Sequence, residues 1–96
     1  MKIYGYNGRK NISGRRLREA RVRLRLSQAD VAARMQLEGI VIERDSVSRA
    51  EMGTRFIPDY EIPAFARVLR VSAGWLLGLE ERGGPAGGVW PAQSGE

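Results

Sequence analysis

The sequence predicts an all-α domain, a compact bundle of five short helices, and three observations carry that prediction. Apolar residues recur at helical spacing along most of the chain. Ser, Pro and Gly stand at the offsets that start and stop helices. No stretch alternates apolar and polar residues over strand length, and Gly39-Ile40-Val41-Ile42 is the only short β-branched run. The 96 residues, 43% of them hydrophobic, suffice for one small domain and not two.

The helices follow in order. Ser13 is placed to cap a first helix, on which Leu17, Ala20, Arg21 and Leu24 share one face. Ser27-Gln28-Ala29-Asp30 has the spacing of a capping box, so a second helix starts there with Val31, Ala32 and Met35 as its apolar stripe. A third fits Arg44–Ala50, with Val47 and Ala50 inward and Gly53 placed to end it in a left-handed conformation. Pro58-Asp59 and Pro63 bracket the start of a fourth, which buries Phe65, Ala66, Leu69 and Val71. Ser72 caps a fifth, Ala73–Leu79, carrying Trp75, Leu76 and Leu79. Residues 1–11 read as a flexible N-terminal arm, 12–80 as the domain and 81–96 as a flexible Gly/Pro-rich tail. Trp90 in that tail is either a docking anchor or a stray residue.

Composition narrows the chemistry. The chain holds no Cys and no His, which excludes disulfides, Cys/His metal centres, thiol catalysis and a Ser-His-Asp arrangement. No catalytic residues, metal ligands or cofactors are expected, and the chain is not expected to be an enzyme. No apolar run approaches the roughly 20 residues that cross a bilayer, and Met1–Tyr6 lacks the apolar stretch of a secretory signal. A cytoplasmic protein with no membrane association is the expectation.

The net charge of +5 is unevenly distributed. Residues 1–27 hold nine of the 16 Lys and Arg and a single acid, Glu19. Residues 28–56 hold four basic and five acidic residues, and residues 57–96 hold three and five. A basic front with almost no compensating acid suits a polyanion, either nucleic acid or an anionic membrane surface. A membrane-surface helix over Arg15–Leu26 fits poorly, because Arg surrounds it and its apolar side has no aromatic residue.

The informative stretches are Leu26-Ser27-Gln28-Ala29-Asp30-Val31-Ala32-Ala33 and Val47-Ser48-Arg49-Ala50-Glu51-Met52-Gly53. Small Ala32 lets a third helix cross close over the second, and Val47 closes the core between them. Together with the Arg-rich first helix and the Leu-Arg-Val-Ser…Trp-Leu-Leu close, this order resembles the phage repressor/Cro-like (XRE) helix-turn-helix proteins, from about Gly14 to Gly78. The resemblance implies a lambda-repressor-like DNA-binding domain with a central helix-turn-helix. The connection Met35–Glu43 is several residues longer than in the family. It implies a third helix that starts at a different angle or a second helix that runs on by one turn.

The resemblance implies a sequence-specific regulator of transcription, of bacterial or phage type and expected to be a repressor, that binds double-stranded DNA as a homodimer. The third helix then lies in the major groove. Its outward positions Arg44, Asp45, Ser48 and Arg49 are the candidate base readers, with the two arginines suited to guanine. Asp45 either accepts from cytosine or complements the helix dipole. Candidate phosphate contacts are Gln28, Ser46, Thr54, Arg55, Arg15, Arg16, Arg9 and Lys10. The family pairs the positions of Arg21 and Glu51 in a structural ion pair between the first and third helices. Leu77, Leu79 or the tail offer a surface to a protein partner. An antitoxin, or a helical protein–protein adaptor on the same fold, are the alternative readings.

Overall fold

Ser27 and Asp30 close a reciprocal capping box. The Ser27 hydroxyl accepts from the Asp30 amide at 2.9 Å, and the Asp30 carboxylate accepts from the Ser27 amide at 2.9 Å. The helix that follows, α2 (Gln28–Leu37), is one of five in the computed structural model, which describes residues 5–84. The others are α1 (Gly14–Arg23), α3 (Arg44–Met52), α4 (Glu61–Leu69) and α5 (Ala73–Leu76). The architecture is the expected all-α one: among the described residues there is no strand, only an isolated antiparallel bridge between Tyr6 and Arg9.

The periodic apolar positions meet in one core. Leu17 and Ala20 from α1, Val31, Ala32 and Met35 from α2, Val47 and Ala50 from α3, and Phe65 and Leu69 from α4 are buried together, with Val71, Trp75 and Leu76. Phe65 and Leu76 are completely enclosed, as a small domain requires of its few large side chains. Gly53, at φ 81°, ends α3 in the left-handed conformation expected of it. Arg70 ends α4 the same way at φ 59°, and Val71 then turns back into the core. No helix of the described residues is long and apolar enough to cross a membrane.

The structure departs from the sequence expectations at five places. The Ser13 hydroxyl does not cap α1; it donates to the Leu76 carbonyl at 2.8 Å and so ties α1 to α5. The cap is Asn11, whose Oδ1 accepts from the amides of Ser13 and Gly14 at 3.0 and 2.7 Å. Second, α3 runs two residues further than expected, to Met52. Third, α5 stops at Leu76, with Gly78 at a positive φ two residues on; Leu79 therefore lies outside the helix, and it is exposed.

Fourth, residues 5–11 are not a free arm. Asn7 and Gly8, both at positive φ, make a two-residue turn of the primed type that Asn-Gly favours. Tyr6 and Arg9 exchange backbone hydrogen bonds across it. The Lys10 amide then donates to the Gly53 carbonyl at 2.7 Å, which docks the segment on the end of α3. Fifth, residues 81–84 of the expected tail pack on α5: the Gly83 carbonyl accepts from the Ser72 amide at 2.8 Å. The remaining tail, with Trp90, and residues 1–4 of the arm lie outside the described residues.

The long connection between α2 and α3 is taken up partly by helix. α2 continues to Leu37, and Gly39 at φ 89° turns the chain. Ile42 is buried and Ile40 half-buried in the core, so alternate residues of the β-branched run anchor the segment that leads into α3.

Candidate nucleic-acid interface

Helix α3 lies across α1 and α2 and exposes one face. Val47, Ala50 and Glu51 turn inward, at i, i+3 and i+4. That spacing leaves Arg44, Asp45 and Arg49 exposed and Ser46 and Ser48 half-buried. The outward face thus presents two guanidinium groups. Arg49 is within 3.6 Å of Asp45 one turn earlier, and both are solvent-exposed. Such an exposed pair holds little energy and leaves Arg49 free to exchange its partner.

Behind that face is a fixed polar cluster. Glu51 is buried and accepts two hydrogen bonds from Arg21, from Nε at 2.5 Å and from Nη2 at 3.0 Å. Arg21 also donates to the Leu26 carbonyl at 2.9 Å. The pair joins α1 to α3, as the resemblance implies. The hydrogen bond that Arg21 donates to Glu51 raises the Arg21 pKa against the opposing effect of burial. Gln28, the first residue of α2, donates from Nε2 to Glu51 at 3.1 Å, and its Oε1 accepts from Arg44 at 3.4 Å. The amide can point only this way, because a carboxylate only accepts and a guanidinium only donates. Arg21, Glu51, Gln28 and Arg44 therefore form one chain of contacts from the core to the exposed face.

A second group of candidates gathers at the other end of α3. Arg9 donates to the Glu51 carbonyl at 2.9 Å, and its guanidinium lies where a side chain at Gly53 would stand. Lys10 is exposed, with Nζ 5.6 Å from the centre of the Phe56 ring. Thr54 is exposed, and its hydroxyl donates to the Arg49 carbonyl at 3.3 Å. Arg15 is exposed in the first turn of α1, beside the N-terminal turn.

Two candidates are committed elsewhere. Arg55 makes a two-pronged contact with Glu61, at 2.7 and 3.0 Å, and Glu61 is buried. These hydrogen bonds raise the Arg55 pKa. Arg55 thus ties the loop after α3 to the start of α4 rather than presenting a free cation. Arg16 stacks over Trp75 at 4.8 Å and donates to the Trp75 carbonyl at 2.6 Å and the Glu80 carbonyl at 3.2 Å. It also approaches Glu81 at 3.5 Å. Its cationic group is held on α5, away from the Gln28–Arg44 cluster.

Asn11 was missed among the residues that build the site. Besides capping α1 it donates from Nδ2 to the Ala50 carbonyl at 3.0 Å and to the Arg55 carbonyl at 2.8 Å. One side chain thereby fixes the start of α1, the end of α3 and the following loop. The Asn7-Gly8 pair was the available signal that this segment is structured. Among the described residues no group of three or more acidic side chains could hold a metal ion.

The comparisons agree with this geometry. A family model described as a helix-turn-helix domain matches residues 14–81, from the first residue of α1 to beyond α5. No curated protein matches the chain. The match covers most of the chain and all five helices, including α2 and α3 in the crossing just described. The chain belongs to the helix-turn-helix domain family, a family of DNA-binding domains.

Proposed function

We propose that this protein is a sequence-specific, double-stranded DNA-binding regulator of transcription of the phage repressor/Cro-like type. It acts as a repressor and binds as a homodimer, with α3 in the major groove. The observation that carries the reading is the exposed Arg44 and Arg49 on a helix whose other side is pinned to α1 by the Arg21–Glu51 pair. A rigid helix with two outward guanidinium groups suits bidentate recognition of guanine O6 and N7, at about 1–3 kcal/mol of discrimination for each good pair. Gln28 restrains Arg44 and keeps a second amide hydrogen for a phosphate, while Lys10, Thr54 and Arg15 supply further contacts to the backbone. Phosphate contacts of this kind position the protein, and base contacts specify the sequence.

The test is selection from a random duplex library, followed by measurement of affinity against salt. The expected result is a two-fold symmetric site with half-sites about one helical turn apart. With Lys10 and Arg15 each neutralising a phosphate, log K should fall against log salt with a slope near −2 for each protomer bound. A slope near zero overturns the DNA reading. Retention without enrichment of any sequence overturns the specific regulator.

A further inference from the structure

Between the N-terminal turn, the loop after α3 and the α4–α5 corner lies an open groove of about 750 Å³. Its apolar walls are Ile12, Phe56, Ile57, Ile62, Pro63 and Leu77. Ile12 and Phe56 stay 51% and 55% exposed although both are large and apolar. The volume falls within the range of about 300–1,000 Å³ typical of small-molecule sites, which are mostly apolar with a few placed polar groups.

The polar groups on the wall define the ligand. Asn11 and Ser13 line the groove, and their side chains are spent on hydrogen bonds within the protein, to the backbone of Ser13, Gly14, Ala50, Arg55 and Leu76. Two cations remain on the wall, Arg9 and Lys10. Arg9 donates to the Glu51 carbonyl, a neutral acceptor that leaves its charge uncompensated. Lys10 is exposed, and its ammonium stands 5.6 Å from the centre of the Phe56 ring. Neither is within ion-pair distance of a carboxylate among the described residues. The one acid on the wall, Asp59, stands at the start of α4, where its carbonyl accepts from the Ile62 amide at 3.2 Å. An aromatic body packed beside Phe56 therefore brings an attached anionic group to Lys10, and Asp59 disfavours the reverse orientation.

We propose that this groove binds a small aromatic carboxylate, with its ring among Ile12, Phe56 and Leu77 and its carboxylate on Lys10, Arg9 behind it. The site borders α3, because the Lys10 amide donates to the Gly53 carbonyl at 2.7 Å. A consequence follows that rests on the DNA-binding reading above. The ligand takes Lys10 from its phosphate, weakens the complex and reduces the salt slope by about 1 for each protomer.

The probe is anilinonaphthalene sulfonate, an aromatic anion whose sulfonate stands in for the carboxylate. Its counterpart is N-phenylnaphthylamine, which has the same aromatic body and no charge. Titrated by fluorescence into the full chain without DNA, the anionic probe should bind saturably, one for each protomer, and more tightly than the neutral one. Lys10→Glu should weaken the anionic probe by about five-fold or more and leave the neutral probe within about two-fold, while circular dichroism stays helical. Phe56→Ala should weaken both probes; if it unfolds the chain, Ile12→Ala serves the same purpose. Absence of saturable binding, equal affinity for the two probes, or an anionic probe indifferent to Lys10→Glu overturns the proposal. Probe binding that falls as the protein is concentrated also overturns it, and assigns the groove to a second copy. Occupancy is read without DNA, so a chain that binds the anionic probe through Lys10 and binds no duplex upholds the site and refutes only the regulator.

Discussion

Glu51 receives the Arg21 guanidinium on both carboxylate oxygens, at 2.5 and 3.0 Å, and the two side chains are 4% and 14% exposed. A buried pair of this geometry is costly to break from one side, because the remaining charge is left without a partner. Glu51→Ala is expected to lower stability by about 3–5 kcal/mol. For a domain of this size that is a fall in melting temperature of at least about 12 °C. Replacing both residues by leucine should recover much of the loss. An unchanged melting curve for Glu51→Ala would remove the pair from the account of how α3 is held.

Gly14 shows the same α1–α3 contact from the backbone side. A side chain there would collide with the backbone carbonyls of Ala50 and Glu51. Gly→Ala in a helix ordinarily gains up to about 1 kcal/mol. Here the sign should reverse, with Gly14→Ala destabilising by about 1–3 kcal/mol through overpacking against groups that cannot give way. Chemical denaturation of the variant measures this, and a stabilised Gly14→Ala would show that α1 and α3 are less tightly apposed.

The capping box of α2 makes stability depend on acid. The Ser27 amide, and then its hydroxyl, hold the Asp30 carboxyl below the usual carboxylate range. A carboxyl with a depressed pKa in the folded state contributes stability above its unfolded pKa and loses it as pH falls through the folded pKa. The melting temperature of the protein should therefore exceed that of Asp30→Ala at neutral pH, and the gap should close below about pH 4. A gap that widens on acidification would contradict the box.

Features made by neighbours in sequence were legible before the structure. The Ser27–Asp30 box, Gly53 as a helix stop, and the inward Val47 and Ala50 depend on spacings of a few residues, which periodicity and capping rules capture. Arg21 and Glu51 were legible because each is a charge on an otherwise apolar face. What the sequence hid was the destination of long polar side chains. Asn11 acts on carbonyls 39 and 44 residues away, and Arg16 on one 59 residues away. Nothing local distinguishes Arg16 or Arg55 from the exposed Arg15 or Arg49. Charge pattern located the basic region and could not divide its free cations from its ties.

That division yields the last prediction. Arg49 and Arg44 are exposed, whereas Arg55 is fixed on both nitrogens by the buried Glu61. Arg44→Ala and Arg49→Ala should each weaken binding to the selected site by about 1–3 kcal/mol and relax the preference for guanine at one position, with little effect on melting. Arg55→Ala should do the opposite. It strands Glu61 and lowers the melting temperature, yet leaves the salt slope of binding within a few tenths of the parent value. Loss of a phosphate contact would instead reduce that slope by about 1. Affinity measured across a salt series for the three variants separates the two roles. A full-unit drop in slope for Arg55→Ala would mean that its guanidinium leaves Glu61 for a phosphate when the duplex binds.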